Sequence, residues 1–293
     1  MRLTGLLLAA LLALPAYAGS ASNAGAKGSR IVSADGAVTE ILFALGVEDR
    51  LVGVDTTSKY PEDVNQLPKV GYLRALPFEG VLSLEPDHLI TTEEAEPEQT
   101  LQRLEQVGVK VTRLPVAQSP EQTLQRIMAI GELVDREEAA ARLAGELQVV
   151  FTDIDKKVAA RGSAPKVLLL LAAGGHGVSF GGSHTGADAL LKAIGATNAV
   201  SNIRGYKPAS REAIISANPD AIVVAESAPG QFRIADWPEL AQLPAWKNGH
   251  RYVGDSMMLL SFGPRLAEAL VILDGILPEA PTAESTLASR HGD

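Results

Sequence analysis

Short apolar runs alternate with stretches of helical periodicity through the first half of the chain. The runs rich in Val, Ile and Leu predict strands, and the stretches between them predict helices, several of which end at a glycine. Strands are predicted at 30–33, 51–55, 88–92 and 109–114, and helices at 38–45, 77–84, 97–107 and 120–134. Strands that alternate with helices are typical of a parallel sheet covered by helices on both faces.

One predicted helix is much longer than the others. Residues 137–161 contain no proline and a single glycine, Gly145, and they are rich in Ala, Leu, Glu, Gln and Lys. A helix of this length spans about 37 Å at 1.5 Å per residue. The strand–helix alternation then restarts with a predicted strand at 167–171. The pattern fits either a long surface helix within one domain or a helix that joins two lobes.

Two segments of similar sequence favour the second interpretation. Residues 79–90 read EGVLSLEPDHLI and residues 212–223 read EAIISANPDAIV, at a constant offset of 133. A Gly-Tyr pair precedes each segment, Gly71-Tyr72 in the first copy and Gly205-Tyr206 in the second. An internal repeat implies two equivalent units. Because ligands bind at the carboxyl ends of parallel strands, we expect the two Gly-Tyr loops to face each other across a cleft.

The predicted fold class is therefore α/β, with two Rossmann-like lobes that contain parallel sheets. The N-terminal lobe is predicted at 30–135 and the C-terminal lobe at 163–280, joined by one long interlobe helix at 136–162. About 270 residues remain after a leader is removed, a length that suits two domains of ordinary size.

The N-terminus predicts export. Two residues, Met1-Arg2, give a minimal basic start, an apolar run extends to Leu14, and Pro-Ala-Tyr-Ala at 15–18 supplies a small-x-small cleavage pattern. The run is too short to cross a bilayer, so it predicts a cleavable signal peptide at 1–18. No other stretch reaches the roughly 18 apolar residues of a transmembrane helix. We therefore expect a periplasmic protein of a Gram-negative cell, with no membrane span of its own.

Composition narrows the function further. The chain contains no cysteine, which excludes disulfides, thiolate metal sites, cysteine nucleophiles and the cysteine of a lipid anchor. A net charge of −9 argues against nucleic acid as a partner. The common hydrolase, zinc-protease and P-loop motifs are absent, and Gly175-His-Gly177 fails the dinucleotide fingerprint because Phe180 stands at the third glycine position. An exported two-lobed enzyme is therefore the less favoured alternative to a monomeric binding protein.

Several short motifs resemble one known family. They are RIVS at 30–33, Thr39-Glu40, LEPD at 84–87, SRE at 210–212 and FGPR at 262–265. Together they are similar to the solute-binding proteins of ABC importers, whose two Rossmann-like lobes are joined by one long helix and which carry haem, cobalamin or iron–siderophores. The resemblance extends from Arg30 to about Leu277. It implies a protein that captures its ligand in the interlobe cleft and delivers it to the permease dimer of an inner-membrane ABC importer.

The Gly-Tyr loops resemble those of the periplasmic haem-binding members, which are related to the cobalamin-binding protein. By that resemblance Tyr72 is the ligand of haem iron, whereas a cobalamin binder is expected to present tryptophan at this place. The chemistry agrees, because ferric iron is hard and a phenolate oxygen suits it. Iron–siderophore and cobalamin binding stay as alternatives.

Other candidate site residues follow from their position near these loops. Arg74 is expected to pair with a haem propionate or with the phenolate, and the apolar residues Leu73, Leu76, Phe78 and 257–260 to cover the porphyrin. Each of these residues also has an ordinary interpretation in packing or on a solvated surface. The remaining candidates are wall residues, further cations and a second iron ligand, namely Tyr206, Lys207, Arg233, Arg265 and His176.

Two glutamates occupy the same position in the two repeats. Glu79 and Glu212 each precede an apolar helical stretch that ends in Pro-Asp, so each is expected in the first turn of a helix, where a negative charge is favourable. In the family, two such glutamates dock onto arginines of the permease dimer. The resemblance therefore implies that Glu79 and Glu212 dock onto the transporter, one from each lobe.

Overall fold

The computed structural model describes residues 29–278, and the predicted signal peptide lies outside them. The strands in this range are β1 Ile31–Ala34, β2 Leu51–Val54, β3 His88–Thr92, β4 Lys110–Leu114, β5 Lys166–Ala172, β6 Val178–Gly181, β7 Thr197–Asn198, β8 Tyr206–Pro208, β9 Ala221–Glu226 and β10 Arg251–Asp255. The helices are α1 Gly36–Ala44, α2 Phe78–Leu82, α3 Glu98–Gln106, α4 Pro120–Leu133, α5 Glu137–Ala160, α6 Gly186–Ala193, α7 Arg211–Ala217, α8 Pro238–Gln242, α9 Pro244–Lys247, α10 Ser256–Leu260 and α11 Leu266–Ile276.

The strands before α5 form one sheet. Its order is β2-β1-β3-β4, and every neighbouring pair is parallel. Residues of β1 and β3 are almost wholly buried, as expected for strands covered by helices on both faces. The parallel α/β architecture predicted for the first half is confirmed.

The strands after α5 form a second sheet, which is mixed rather than parallel. Its order is β10-β9-β5-β6-β8, with β7 paired to β5, and β6 runs antiparallel to both β5 and β8. Strands β10, β9, β5 and β7 pair in parallel as predicted, and the sheet departs from the prediction at β6 and β8. A parallel connection from β5 to β6 would need a crossover of about a dozen residues. Only the glycine-rich segment 173–177 separates β5 from β6, and Gly174 and Gly177 adopt the left-handed φ values of 54° and 73°. The chain therefore turns back as a hairpin.

The long helix α5 lies between the two sheets in chain order and packs on both α4 and α11. Its buried residues Leu147, Phe151 and Ile154 belong to one apolar cluster that also contains Ile41 from the first lobe and Leu270 from the second. One continuous core therefore joins the lobes along the helix. This two-lobed arrangement confirms the predicted interlobe helix, while the exact lobe boundaries stay a prediction.

The sequence repeat corresponds to a repeated structure. Helix α2 leads into β3 in the first lobe, and α7 leads into β9 in the second. In each copy a carboxylate joins the end of the helix to the start of the central strand: Asp87 Oδ2 accepts from the backbone N–H of Arg30 at 2.8 Å, and Asp220 Oδ2 from that of Lys166 at 2.7 Å. The Pro-Asp pairs are thus structural.

Candidate functional site

A cavity of about 570 Å³ opens between the two lobes. Its walls come from segments that follow strands: Asp35 after β1, Lys59 after β2 and Glu94 after β3 on one side, and Ser227 after β9 and Met257 after β10 on the other. The carboxyl ends of parallel strands are where doubly wound sheets bind ligands. The volume is in the range of small-molecule and cofactor sites, so the cleft predicted from the repeat is present.

Tyr72 lies in this cavity on a loop that is held in place by backbone hydrogen bonds. The carbonyl of Gly71 accepts from the N–H of Thr56 at 2.8 Å, and Leu73 and Glu96 are joined by a bond of the same length. Gly71 has a φ of 107°, and a Cβ there would lie 2.9 Å from the ring of Pro77, so only glycine fits this turn. The Tyr72 side chain is 45 % exposed and faces the cavity.

Arg74 also lines the cavity, but it already has an acidic partner. Its Nη2 lies 2.6 Å from Oε1 of Glu94, and both side chains are roughly half exposed. The hydrogen bond to Glu94, with the nearby charge of Tyr72 as a smaller contribution, raises the pKa of Arg74. The predicted cation is therefore in the cleft, next to an acid that the sequence did not single out.

Tyr206 stands on the opposite wall, at the start of β8. Burial raises the pKa of Tyr206 above 10, although hydrogen bonds from the backbone of Ala187 and the side chain of Thr185 act in the opposite direction. The phenol therefore keeps its proton near neutral pH. The cleft thus has one tyrosine on each side, as the repeat predicted.

The cleft also contains a partly buried acid, Asp35, and a buried cation, Arg126. Arg126 on α4 is 5 % exposed and donates to the carbonyls of Pro115 at 2.9 Å and Ser261 at 3.3 Å, and its Nε finds no acceptor within residues 29–278. Burial raises the pKa of Asp35, against the opposing charge of Arg126 and the N-terminal hydrogen bonds of α1. Sequence analysis missed both residues, although an acid directly after a strand is a recognisable signal.

Two further polar residues, Lys59 and His184, line the cleft. The ammonium group of Lys59 donates to the carbonyl of Ser227, so it bridges the two lobes at the cavity. His184 lines the same cavity with a φ of 61°, in the turn that precedes α6. The bridge depends on residues 168 positions apart, which no local pattern reveals.

Arg265, Arg233 and Lys207 were predicted in the site, and the structure places each of them outside the cavity. Arg265 is held between Glu40 and Asp255 and covers the ring of Tyr60 at 4.2 Å. The guanidinium of Arg233 pairs with Asp236 on the exposed loop after β9, and Lys207 follows Tyr206 in β8, so its side chain leaves from the opposite face of the strand. None of the three lines this cavity, because sequence position gives no side-chain direction, and their role in ligand binding stays a prediction.

His176 lies in the turn of the β5–β6 hairpin. Its backbone is described, and its role as a second iron ligand stays a prediction. Among the apolar residues expected to cover a porphyrin, Leu73, Met257 and Leu260 line the cavity. Leu76 is instead a core residue at 2 % exposure. The guanidinium carbon of Arg103 lies 3.8 Å from the centroid of the Phe78 ring and covers that ring. Residues 257–260 form part of a helix, α10.

Glu79 and Glu212 occupy equivalent, exposed positions in the two lobes. Each is in the first turn of its helix, α2 or α7, as predicted. A helix that leads back into a parallel strand runs antiparallel to it, so its N-terminus lies at the carboxyl edge of the sheet. Both acids are therefore on the cleft side of their lobes. Glu79 also has a cationic neighbour, Arg103, at 3.6 Å.

The two α/β lobes, the long helix and the interlobe cleft define a two-lobed ligand-binding protein. A family model described as periplasmic binding protein matches residues 31–257. The chain therefore belongs to the periplasmic binding protein family of ABC transporters.

Similar solved structures include several haem-binding proteins. The periplasmic haem-binding protein of Pseudomonas aeruginosa is 35 % identical with a TM-score of 0.77, and the match covers 87 % of this chain and 95 % of the other. The haem-binding protein RhuT of Roseiflexus sp. RS-1 is 32 % identical with a TM-score of 0.77, covering 85 % and 97 %. HutB of Vibrio cholerae, also haem-binding, is 36 % identical with a TM-score of 0.72, covering 85 % and 99 %.

Curated relatives give a broader picture. YvrC of Bacillus subtilis, an uncharacterized ABC transporter substrate-binding lipoprotein, is 29 % identical over 85 % of this chain and 80 % of its own length. A vitamin B12-binding protein of Vibrio campbellii is 34 % identical, but over 99 residues that cover 34 % of this chain and 36 % of the relative. Within residues 29–278, no helix is both long enough and apolar enough to cross a membrane.

Proposed function

We propose that the protein captures haem in the interlobe cleft and delivers it to an inner-membrane ABC importer. The observation that carries this proposal is the placement of Tyr72 in the cavity, half exposed, on a loop fixed by Gly71 and two residues before Arg74. Three similar structures above 30 % identity are haem-binding proteins, which supports the same ligand class.

Tyr72 is the proposed ligand of the haem iron. A phenolate oxygen is a hard donor, and ferric iron favours it over a protonated phenol. Arg74 lies two residues from Tyr72 in the same cavity, and its guanidinium has the planar geometry that pairs with a carboxylate. Met257 and Leu260 on the opposite lobe supply apolar contacts for the ring.

Cobalamin is the second candidate, because of the local match to a vitamin B12-binding protein. The two tryptophans of the chain argue against it. Trp237 and Trp246 pack against the apolar cluster of the second lobe, and neither lines the cavity. The aromatic residues that the cleft presents are tyrosines, which favour iron over a corrin.

Ligand competition tests the proposal. The mature protein is titrated with hemin while its Soret band is recorded, and cobalamin and ferric siderophores are then added as competitors. The proposal expects saturable hemin binding with a shifted Soret band that neither competitor reverses. Displacement of hemin by cobalamin at similar concentration, or no hemin binding at all, would assign the cleft to another ligand.

Glu79 and Glu212 are the proposed docking residues for the permease dimer. They are exposed, acidic and repeated once in each lobe, on the cleft side of the molecule. A two-fold permease that meets a pseudo-two-fold carrier requires one equivalent contact from each lobe. Export through the signal peptide at 1–18 into the periplasm, and function as a monomer, belong to the same proposal.

A further inference from the structure

Arg74 pairs with a carboxylate of the protein, that of Glu94. The proposed function requires Arg74 to pair with a carboxylate of the ligand instead. The two side chains meet at 2.6 Å, and both line the cavity. The charges of both also act on the phenol of Tyr206 across the cleft, where Glu94 raises its pKa and Arg74 lowers it. The pair is therefore directed into the shared space of the two lobes.

This pair differs from the buried ion pair between Arg265 and Glu40. Arg265 and Glu40 are 14 % and 4 % exposed, so neither can be hydrated while the lobes stay packed. Arg74 and Glu94 are 48 % and 42 % exposed, and water can reach both when they separate. An exposed ion pair contributes little net free energy, so exchange of its acidic partner is easy.

We propose that Glu94 is a specificity-determining residue, an internal stand-in for a ligand carboxylate that occupies Arg74 in the ligand-free cleft. The inference rests on the proposed haem function and extends it. A ligand with its own carboxylate takes the place of Glu94 on Arg74, and Glu94 turns to solvent. A ligand without an acid leaves the ion pair intact and gains nothing from Arg74. Glu94 thus sets how strongly the cleft favours a ligand with a free carboxylate over a ligand without one.

The direction in which one substitution changes hemin affinity distinguishes this role of Glu94 from a purely structural one. Glu94→Gln removes the competing charge, so hemin binds about two- to fivefold tighter, the change expected from an exposed ion pair. Hemin dimethyl ester, which lacks free carboxylates, binds parent and variant equally. Glu93→Gln is the matched control, since Glu93 is the adjacent exposed acid and does not line the cavity. In an Arg74→Ala background, Glu94→Gln no longer changes hemin affinity.

Several outcomes would contradict the inference. If Glu94→Gln weakens hemin binding or leaves it unchanged, Glu94 merely positions Arg74 and the inference is wrong. Equal tightening for hemin and its dimethyl ester also overturns it, because the gain then does not involve a ligand carboxylate. Failure of the parent protein to bind hemin contradicts the proposed function itself and removes the basis of the inference. Hemin binding by the parent without the Glu94 effect contradicts the inference alone.

Discussion

Arg265 and Glu40 lie 225 positions apart and join the two lobes through a pair of hydrogen bonds, from Nη2 to Oε1 at 2.5 Å and from Nε to Oε2 at 3.1 Å. A third bond runs from Nη1 to Oδ2 of Asp255 at 2.8 Å. Because Glu40 is on α1 and Arg265 immediately precedes α11, the contact ties the first lobe to the C-terminal helix. Together with the continuous core along α5, it favours a small relative movement of the lobes.

Removing one member of this pair should destabilise the fold. Arg265→Met leaves the carboxylate of Glu40 buried without its partner, so we expect a loss of about 3–5 kcal/mol in the free energy of unfolding. The additional change Glu40→Leu should recover at least half of that loss, since it removes the uncompensated charge. Chemical denaturation measures both values. Arg233→Met, at an exposed ion pair, is the control and should change stability by less than about 1 kcal/mol.

The buried side chain of His88 is expected to make the folded protein less stable in acid. Its side chain is buried and bonded through Nε2 to Thr112, and burial, with smaller contributions from the charges of Lys110 and Arg50, lowers its pKa to about 4. The unfolded chain takes up this proton near pH 6.5, whereas the folded protein resists it until about pH 4. Stability from this group is therefore complete above about pH 6.5 and falls as pH decreases toward 4.

The measurement is the free energy of unfolding at a series of pH values. The parent should lose on the order of 1–3 kcal/mol more than His88→Gln between pH 6.5 and pH 4, because the variant has no group that titrates at this place. Parallel curves for the two proteins would show that His88 does not contribute.

The repeated carboxylates Asp87 and Asp220 predict equal and additive effects. Each accepts one backbone N–H at the start of the central strand of its lobe. Asp87→Ala and Asp220→Ala should each lower the free energy of unfolding by about 1 kcal/mol, and the double variant by about the sum, since the sites share no partner. A large effect at one position and none at the other would show that the two carboxylates do not contribute equally to the free energy of unfolding.

The docking proposal predicts a separation of ligand binding from transport. Glu79→Arg combined with Glu212→Arg should leave hemin affinity within about twofold of the parent but abolish stimulation of the importer's ATPase activity. Exposed charges act mainly on association rate and orientation, so the loss should be greatest at low ionic strength. The matched control reverses two other exposed acids, Glu105 and Glu138. Normal stimulation by the double variant would reject the assignment.

The sequence predicted most of the first lobe, the long helix and the two tyrosine loops. Apolar runs identified β1 to β3, because buried parallel strands consist of mostly apolar residues, and the edge strand β4 was located by its alternation with the helices. The Gly-Tyr pair that precedes each copy of the repeat then predicted Tyr72 and Tyr206 on opposite walls, and both line the cavity. Local sequence was sufficient wherever backbone conformation decided the position of a residue.

The features that could not be predicted from the sequence depend mainly on contacts between residues far apart in the chain. The direction of Arg265 depends on Glu40, which lies in the other lobe, and the bridge from Lys59 depends on Ser227. The antiparallel β5–β6 pair depends on left-handed glycines in a five-residue turn. Such features require the tertiary structure because neither periodicity nor a motif records them.

Tyr72 is the proposed ligand of the haem iron. The ferric absorption spectrum of Tyr72→Phe with bound hemin is the measurement that tests this assignment. Phenylalanine keeps the ring and removes the oxygen, and Tyr206→Phe and Tyr60→Phe serve as matched controls from the opposite wall and from outside the cleft. The account predicts that Tyr72→Phe loses the phenolate-to-iron charge-transfer band and at least about tenfold in hemin affinity, roughly 1.4 kcal/mol, while Tyr60→Phe matches the parent. An unchanged spectrum and affinity in Tyr72→Phe would contradict the account.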